Sequence, residues 1–131
     1  VQLVVLDDAS DPTAAARNAR KLIEDDKVDV LMGSAGTPMS VAMAQVGREA
    51  RTPMIGLTPL PLQGEDAAWA VTIPQPPQLM VSAVVDRMKR DGVKTVAFIG
   101  FSDSWGDLVH DALNRAAAQA GIKVVANERY A

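Results

Sequence analysis

The sequence contains no cysteine, only 4% aromatic residues and no long apolar run. Without cysteine, a disulfide framework, a thiolate metal site and a cysteine nucleophile are all excluded. The apolar stretches fall far short of the roughly 20 residues that span a bilayer, so we predict no membrane segment. The formal net charge is -3, from 16 acidic and 13 basic residues. The basic residues are scattered, which argues against nucleic acid as a partner.

The residues that are present describe an ordinary globular chain. Its 131 residues, 48% of them hydrophobic, can bury a core without disulfide bonds or bound metals. The chain begins inside a strand-like run without an initiator methionine, and it stops at the end of another such run, residues 122–131. We therefore expect a fragment of a longer protein.

Strand-like runs alternate strictly with helical patterns. This alternation predicts an α/β fold of parallel sheets with helices on both faces, joined by right-handed crossovers. The predicted strands are residues 2–6, 28–32, 53–57, 95–101 and 122–131, with a further short run at 69–73; the predicted helices are 12–26, 37–50, 78–91 and one that ends before Gly121.

Caps and apolar stripes support the helices. Asp11-Pro12 and Thr37-Pro38 each suggest an N-cap followed by proline at the first helical position, and Gly92 suits a helix terminator. Residues at helical spacing predict the buried faces. They are Ala15, Ala19, Leu22 and Ile23; Met39, Ala42, Met43, Val46 and Ala50; Val81, Val84, Val85 and Met88; and Leu108, Ala112, Leu113, Ala116 and Ala120.

Two proline-rich stretches interrupt the pattern in the middle of the chain. Residues 58–64 and 73–77 together hold five of the eight prolines. Proline fixes φ and removes an amide donor, so such stretches favour extended crossings between structural units. We predict a linker here.

Hydroxyl, glycine and aromatic residues follow the predicted strands. Ser34, Thr37 and Ser40 come after residues 28–32, Thr58 follows 53–57, and Trp105 follows 95–101. The carboxyl ends of parallel strands form the ligand crevice of an open α/β sheet, so a binding site is the first hypothesis. Acid–base residues that would make an enzyme are not seen at these ends.

The order of these motifs carries a resemblance to a known family. The segments DDASDP, GSAGTPMS, PMIGLT, FIGFSDSWGD and NERY occur in sequence, with the proline-rich crossing between the third and fourth. In this the chain resembles the type I periplasmic binding proteins of branched-chain amino acid ABC transporters. The resemblance implies Rossmann-like lobes that close on a ligand about a hinge. Residues 1–72 would be a partial first lobe, and residues 73–131 the hinge crossing and the start of the second.

The resemblance also implies site residues. Thr37 falls where the family offers a hydroxyl to a ligand carboxylate, Thr58 lies near the second contact loop, and Trp105 replaces an aromatic that covers the ligand. Each has a structural alternative: Thr37 as a plain N-cap, and Trp105 as a core residue of the next helix. Ser34 and Ser40 are further candidates, although Ser40 also suits a local amide contact.

The loop after residues 53–57 departs from the family pattern. Pro59 and Leu60 stand where relatives usually contact the α-amino group of the ligand. A standard α-amino acid therefore competes with a less polar, aromatic carboxylate as the expected ligand.

Other sites are weaker. Asp7 and Asp8 suggest the metal site of a receiver domain, but the later strand lacks the phosphoacceptor aspartate, so we interpret them with Asp11 as loop and capping residues. His110 is the only histidine, which argues against a metal site. Gly33 to Gly36 lacks the third glycine of a dinucleotide fingerprint.

These observations favour the solute-binding component of an ABC importer that captures a small carboxylate: a branched-chain or other hydrophobic amino acid, or an aromatic carboxylate. The resemblance implies a membrane permease as partner and a periplasmic location. No enzyme activity, cofactor or metal is expected. An effector-binding regulatory or receptor domain of the same fold is the alternative, and the fragment is expected to self-associate through uncovered apolar surface.

Overall fold

The structure, a computed structural model, describes all residues 1–131 and divides into two compact units, Val1–Pro74 and Gln75–Ala131. The division falls inside the second proline-rich stretch, where the sequence predicts a linker. Each unit contains parallel strands packed against helices. The predicted α/β class with parallel sheets is confirmed.

The first unit carries a three-stranded parallel sheet in the order β1-β2-β3. Leu31, Met54 and Ala70 stand side by side across its strands. The elements are α1 (Pro12–Glu24), β1 (Leu31–Gly33), α2 (Thr37–Glu49), β2 (Met54–Gly56), α3 (Asp66–Trp69) and β3 (Ala70–Thr72). The short helix α3 was not predicted, whereas the strand after it was.

One face of this sheet is covered by helices. Leu31 and Met54 are each 1% exposed and pack with Ala15 and Ala19 of α1 and with the α2 stripe that includes Met43. The small side chains of Ala15 and Ala19 allow α1 to pack closely against α2. The prediction that Ala50 belongs to the buried stripe is wrong, because α2 ends at Glu49 and the exposed Ala50 is its C-cap.

The predicted first strand, residues 2–6, is not formed as a strand. Its side chains Leu3 and Val5 are 82% and 76% exposed. The run has the β-branched composition of a strand, but composition expresses only a preference for a pleated, half-buried surface. No neighbouring strand pairs with this run, so the preference is not realised.

The second unit carries a two-stranded parallel sheet, β4-β5. Its elements are α4 (Pro77–Arg90), β4 (Thr95–Phe101), α5 (Ser104–Ala120) and β5 (Lys123–Tyr130). Val85 of α4, Leu113 and Ala117 of α5 and Ile122 form its core. The prediction that Val84 points inward is wrong, since it is 52% exposed. At 100° per residue, the stripe through residues 81, 85 and 88 leaves position 84 at the edge of the apolar face.

Candidate functional site

Two buried threonines meet at the carboxyl ends of β1 and β2. Thr37 begins α2 and is 2% exposed, and Thr58 lies in the loop after β2 and is 6% exposed. Their Oγ1 atoms are 2.9 Å apart, and Thr37 Oγ1 also lies 3.2 Å from the carbonyl oxygen of Pro59. Two of the predicted site residues are therefore in direct contact.

The hydrogen-bond directions in this cluster can be assigned. Thr37 has one hydroxyl proton, which it donates to the Pro59 carbonyl, so Thr58 donates to Thr37. Both protons are used inside the chain, and the hydroxyls tie the first turn of α2 to the loop after β2. A hydroxyl that donated its proton to a ligand would have to give up its hydrogen bond within this cluster. That Thr37 or Thr58 contacts a ligand stays a prediction.

The N-cap of α2 is Gly36 rather than Thr37, which corrects the structural alternative for Thr37. Gly36 has extended backbone angles, φ -108 and ψ 138, and no side chain caps this helix. Glycine and threonine both occur at N-caps, so the sequence alone fits either assignment. The first-turn N–H groups of α2 thus lack a side-chain acceptor, and the positive end of the helix dipole is not compensated there.

Ser40 fixes the loop between β1 and α2. Its Oγ accepts a hydrogen bond from the Ser34 N–H at 2.7 Å and donates one to the Ser34 carbonyl at 3.0 Å. Ser40 is fully buried, at 0% exposed. The expected local amide contact of Ser40 is confirmed, and Ser34 takes part through its backbone. Ligand contacts by these two serines stay predictions.

Trp105 lies in the first turn of α5 and is half-buried. The helix is capped by Asp103, whose Oδ1 accepts a hydrogen bond from the Gly106 N–H at 2.9 Å. Beside Trp105, the hydroxyl of Ser104 is buried and has no hydrogen-bond partner. Ser104 had no sequence signal beyond its place in a cap-like segment. Its unpaired hydroxyl makes it a candidate contact that the sequence did not single out.

Arg129 is a second residue that the sequence did not indicate. It stands near the end of β5, and its guanidinium donates to the carbonyl of Phe101 at 2.8 Å and pairs with the Asp107 carboxylate at 3.2 Å. Its Nε donates to Asn127 Oδ1 at 2.8 Å, and its carbon lies 5.2 Å from the centre of the Phe98 ring. These partners belong to β4, α5 and β5, so one side chain joins all three elements.

The model of the periplasmic binding protein family matches residues 1–131. The chain belongs to this family. It is of the type I, branched-chain amino acid-binding-like kind, as its motifs predict. A comparison with curated proteins finds no match.

Several solved structures resemble the chain along nearly its whole length. Rp1789 of Rhodopseudomonas palustris strain CGA009 is 46% identical over 99% of this chain, with a TM-score of 0.96. An extracellular ligand-binding receptor of R. palustris HaA2 gives the same values. A solute-binding protein of an R. palustris ABC transporter, in complex with benzoate, is 23% identical over 99% of this chain with a TM-score of 0.83, which shows the shared fold. The chain spans 36% to 37% of the length of these proteins.

The loop after β2 is the segment where the sequence resemblance predicts a contact with the α-amino group of a ligand. The carbonyl of Pro59 accepts the Thr37 hydroxyl, and both Pro59 and Thr58 are buried. One acceptor position of this loop is therefore already used within the chain.

The first unit also has a cavity of about 170 Å³. It lies between the outer side of α2 and the segment after β2, and the ion pair of Arg48 with Asp66, at 2.8 Å, forms part of its wall. None of the predicted site residues lines it. We do not assign the solute site of this family to it.

The remaining candidates have structural roles. Asp11 caps α1 by accepting the Ala14 N–H at 2.6 Å, and Asp7 and Asp8 accept N–H groups of their own loop, which confirms the capping interpretation. His110 packs its ring 5.2 Å from that of Phe98. No helix here has the length and apolar character needed to cross a membrane.

Proposed function

We propose that the full-length protein is a solute-binding protein that captures a small carboxylate and delivers it to an ABC permease. The observation that carries this proposal is the start of α2. Its first-turn N–H groups lack a side-chain cap and stand at the carboxyl end of β1, beside the Thr37 and Thr58 hydroxyls. Anions are favoured at such helix N-termini because free N–H groups and the dipole both attract them.

The proposal assigns the ligand carboxylate to this turn and its apolar part to Trp105. A tryptophan covers a large apolar area and keeps one N–H donor, which suits an aromatic or branched side chain. The resemblance of the motifs supports one ligand for both turns, held between two lobes that close about a hinge. Ser34 and Ser40 would hold the backbone of the turn between β1 and α2 in the conformation that binds the carboxylate.

The loop after β2 narrows the ligand class. The Pro59 carbonyl already accepts one hydrogen bond from Thr37, and Leu60 supplies no side-chain acceptor, so we expect fewer acceptors for an ammonium group here than in relatives that bind amino acids. We propose an aromatic or otherwise hydrophobic carboxylate ahead of a standard α-amino acid. The R. palustris solute-binding protein that shares this fold, at 23% identity, binds benzoate, which is an aromatic carboxylate of this class.

The wider biology follows from the family and is part of the proposal: a periplasmic location, a permease partner and binding without a catalytic step. Self-association of the isolated chain stays a prediction. It would be driven by exposed apolar side chains on the two sheets, such as Met32 and Ile99, which are 59% and 73% exposed.

Thermal unfolding of the full-length protein with a panel of solutes tests the proposal. The panel contains benzoate, 4-hydroxybenzoate, leucine, phenylalanine and the uncharged benzamide. A ligand at about a hundred times its dissociation constant adds roughly 2.7 kcal/mol, which gives a clear shift. We expect an aromatic carboxylate to shift the midpoint most and benzamide not at all. A protein that is folded and ligand-free, yet responds to no carboxylate, would contradict the proposal.

A further inference from the structure

The loop that leads into α5 is held at both ends by one side chain, Arg129. Its Nη1 donates to the carbonyl of Phe101, the last residue of β4, and its Nη2 pairs with Asp107 in the first turn of α5. Trp105 lies between these two contacts. The start of the loop is also tied to β5, since the Ser102 N–H donates to the Tyr130 carbonyl at 2.7 Å.

The surroundings of Arg129 suit a fixed guanidinium. Its side chain is only 21% exposed, whereas Asp107 is 73% exposed. The partners lie in different directions: a backbone carbonyl, a carboxylate, an amide oxygen and an aromatic face. A planar fork of five donors can satisfy several such partners at once, which the point charge of lysine cannot.

Gly106 leaves the space that this arrangement needs. A Cβ at this position would lie 2.6 Å from Arg129 Nη1 and would collide with the Phe101 carbonyl oxygen. Glycine in the first turn of α5 therefore allows the guanidinium and the end of β4 to approach the helix directly, next to Trp105.

An irregularity in the sheet places Arg129 on this face. The register between β4 and β5 shifts between Val96 and Ala97, after which Gly100 pairs with Arg129. Val124 and Arg129 are both half-buried although they are five positions apart, a spacing that simple alternation would place on opposite faces. A β-bulge re-aims the side chains that follow it, as it does here for Arg129.

We infer that Arg129 is the positioning residue for Trp105: it fixes the loop so that the indole is held ready to cover the ligand. Arg129 contacts Phe98, which packs at the margin of the core formed by Val85, Leu113, Ala117 and Ile122. Loss of the guanidinium should therefore loosen the loop more than the unit. The part of this inference that concerns ligand affinity rests on the proposed function, while the part that concerns Trp105 does not.

The first test reads the environment of Trp105 in the full-length protein without ligand. Its emission is isolated as the difference between each protein and the same protein carrying Trp105→Phe. For Arg129→Met we expect a red shift and about a two-fold increase in acrylamide quenching, because the loop no longer has its two charge-assisted contacts. Asp107→Asn, at an exposed position, should change both signals in the same direction but less. Arg129→Lys should lie between Arg129→Met and the parent protein.

The second test measures affinity for the solute that gives the largest thermal shift. In the parent protein, Arg129→Met should weaken binding about ten-fold, comparable to one lost charge-assisted contact. In a protein that already carries Trp105→Phe, the same substitution should change the affinity very little. Unchanged Trp105 emission and quenching in a folded Arg129→Met protein would overturn the inference. Failure to find any solute would count against the proposed function alone, because the fluorescence result still decides the role of Arg129.

Discussion

The turn from β1 to α2 and the turn from β4 to α5 treat their helix N-termini in opposite ways. At the turn from β1 to α2, Gly36 occupies the N-cap and no side chain caps the helix. At the turn from β4 to α5, the Asp103 carboxylate caps the helix, and Asp107 lies in the first turn. The first helix start is therefore open to an external acceptor, while the second already has acidic groups.

The two turns accordingly offer different chemical groups. The dipole of α2 and its uncapped N–H groups favour an external anion, whereas Asp103 and Asp107 disfavour one at α5. The second turn instead presents Trp105, and Arg129 contacts it at Phe101 and Asp107. The first turn therefore has the chemistry of an anion site, and the second offers an apolar surface.

The largest effect on stability is expected at the second turn, from Gly106→Ala. The new Cβ collides with the Phe101 carbonyl and crowds Arg129, so the second unit should lose about 3 kcal/mol, at the upper end of overpacking costs. Denaturant unfolding of the full-length protein measures this. Gly121→Ala is the matched control, since its Cβ meets nothing within 4 Å and only its positive φ of 71 is strained. A smaller loss for Gly106→Ala than for this control would refute the close approach.

A smaller effect is expected at the first turn, from Thr37→Val. The change keeps the side-chain shape but leaves the Pro59 carbonyl and the Thr58 hydroxyl without their partner, which should cost about 2 kcal/mol. The control is Thr52→Val, a buried threonine whose hydroxyl makes no hydrogen bond to the protein, with an expected change below about 0.5 kcal/mol. Equal losses from both variants in urea unfolding would show that the Thr37–Thr58 pair does not tie α2 to the loop.

The smallest effect should come from converting the second turn towards the first. Asp103→Ala removes the cap of α5 and should cost about 1 kcal/mol, whereas Asp103→Gly should cost only a few tenths, because glycine is a tolerated N-cap. Asp86→Ala, at an exposed position of α4, controls for the loss of a negative charge. If Asp103→Ala and Asp103→Gly have the same free energy of unfolding, capping is not the role of Asp103.

The fold could be predicted where periodicity determines it. Strand β4 and the parallel alternation follow from apolar runs and helical stripes, because burial enforces those patterns. The failure at residues 2–6 has the complementary cause: a strand also needs a partner, and pairing is not a local property of the sequence.

The site could be predicted only in part. Thr37 and Thr58 were placed at strand ends correctly, and the structure brings them together. The N-cap at Gly36 was missed because neighbouring residues compete for the cap, and only the backbone angles decide between them. Arg129 could not be found, because its face depends on a register shift at Val96 and Ala97 that leaves no mark in the alternation of the sequence.

The measurement that tests the central claim most directly is calorimetric titration of the full-length protein and its Gly36→Asp and Gly36→Asn variants with the best carboxylate solute. Both substitutions supply a cap, but only aspartate places a negative charge at the uncapped start of α2. We predict that Gly36→Asp weakens binding at least about a hundred-fold, roughly 2.7 kcal/mol, and that Gly36→Asn weakens it clearly less. Equal affinities for the Asp and Asn variants, with both proteins folded, would contradict a carboxylate site at this turn.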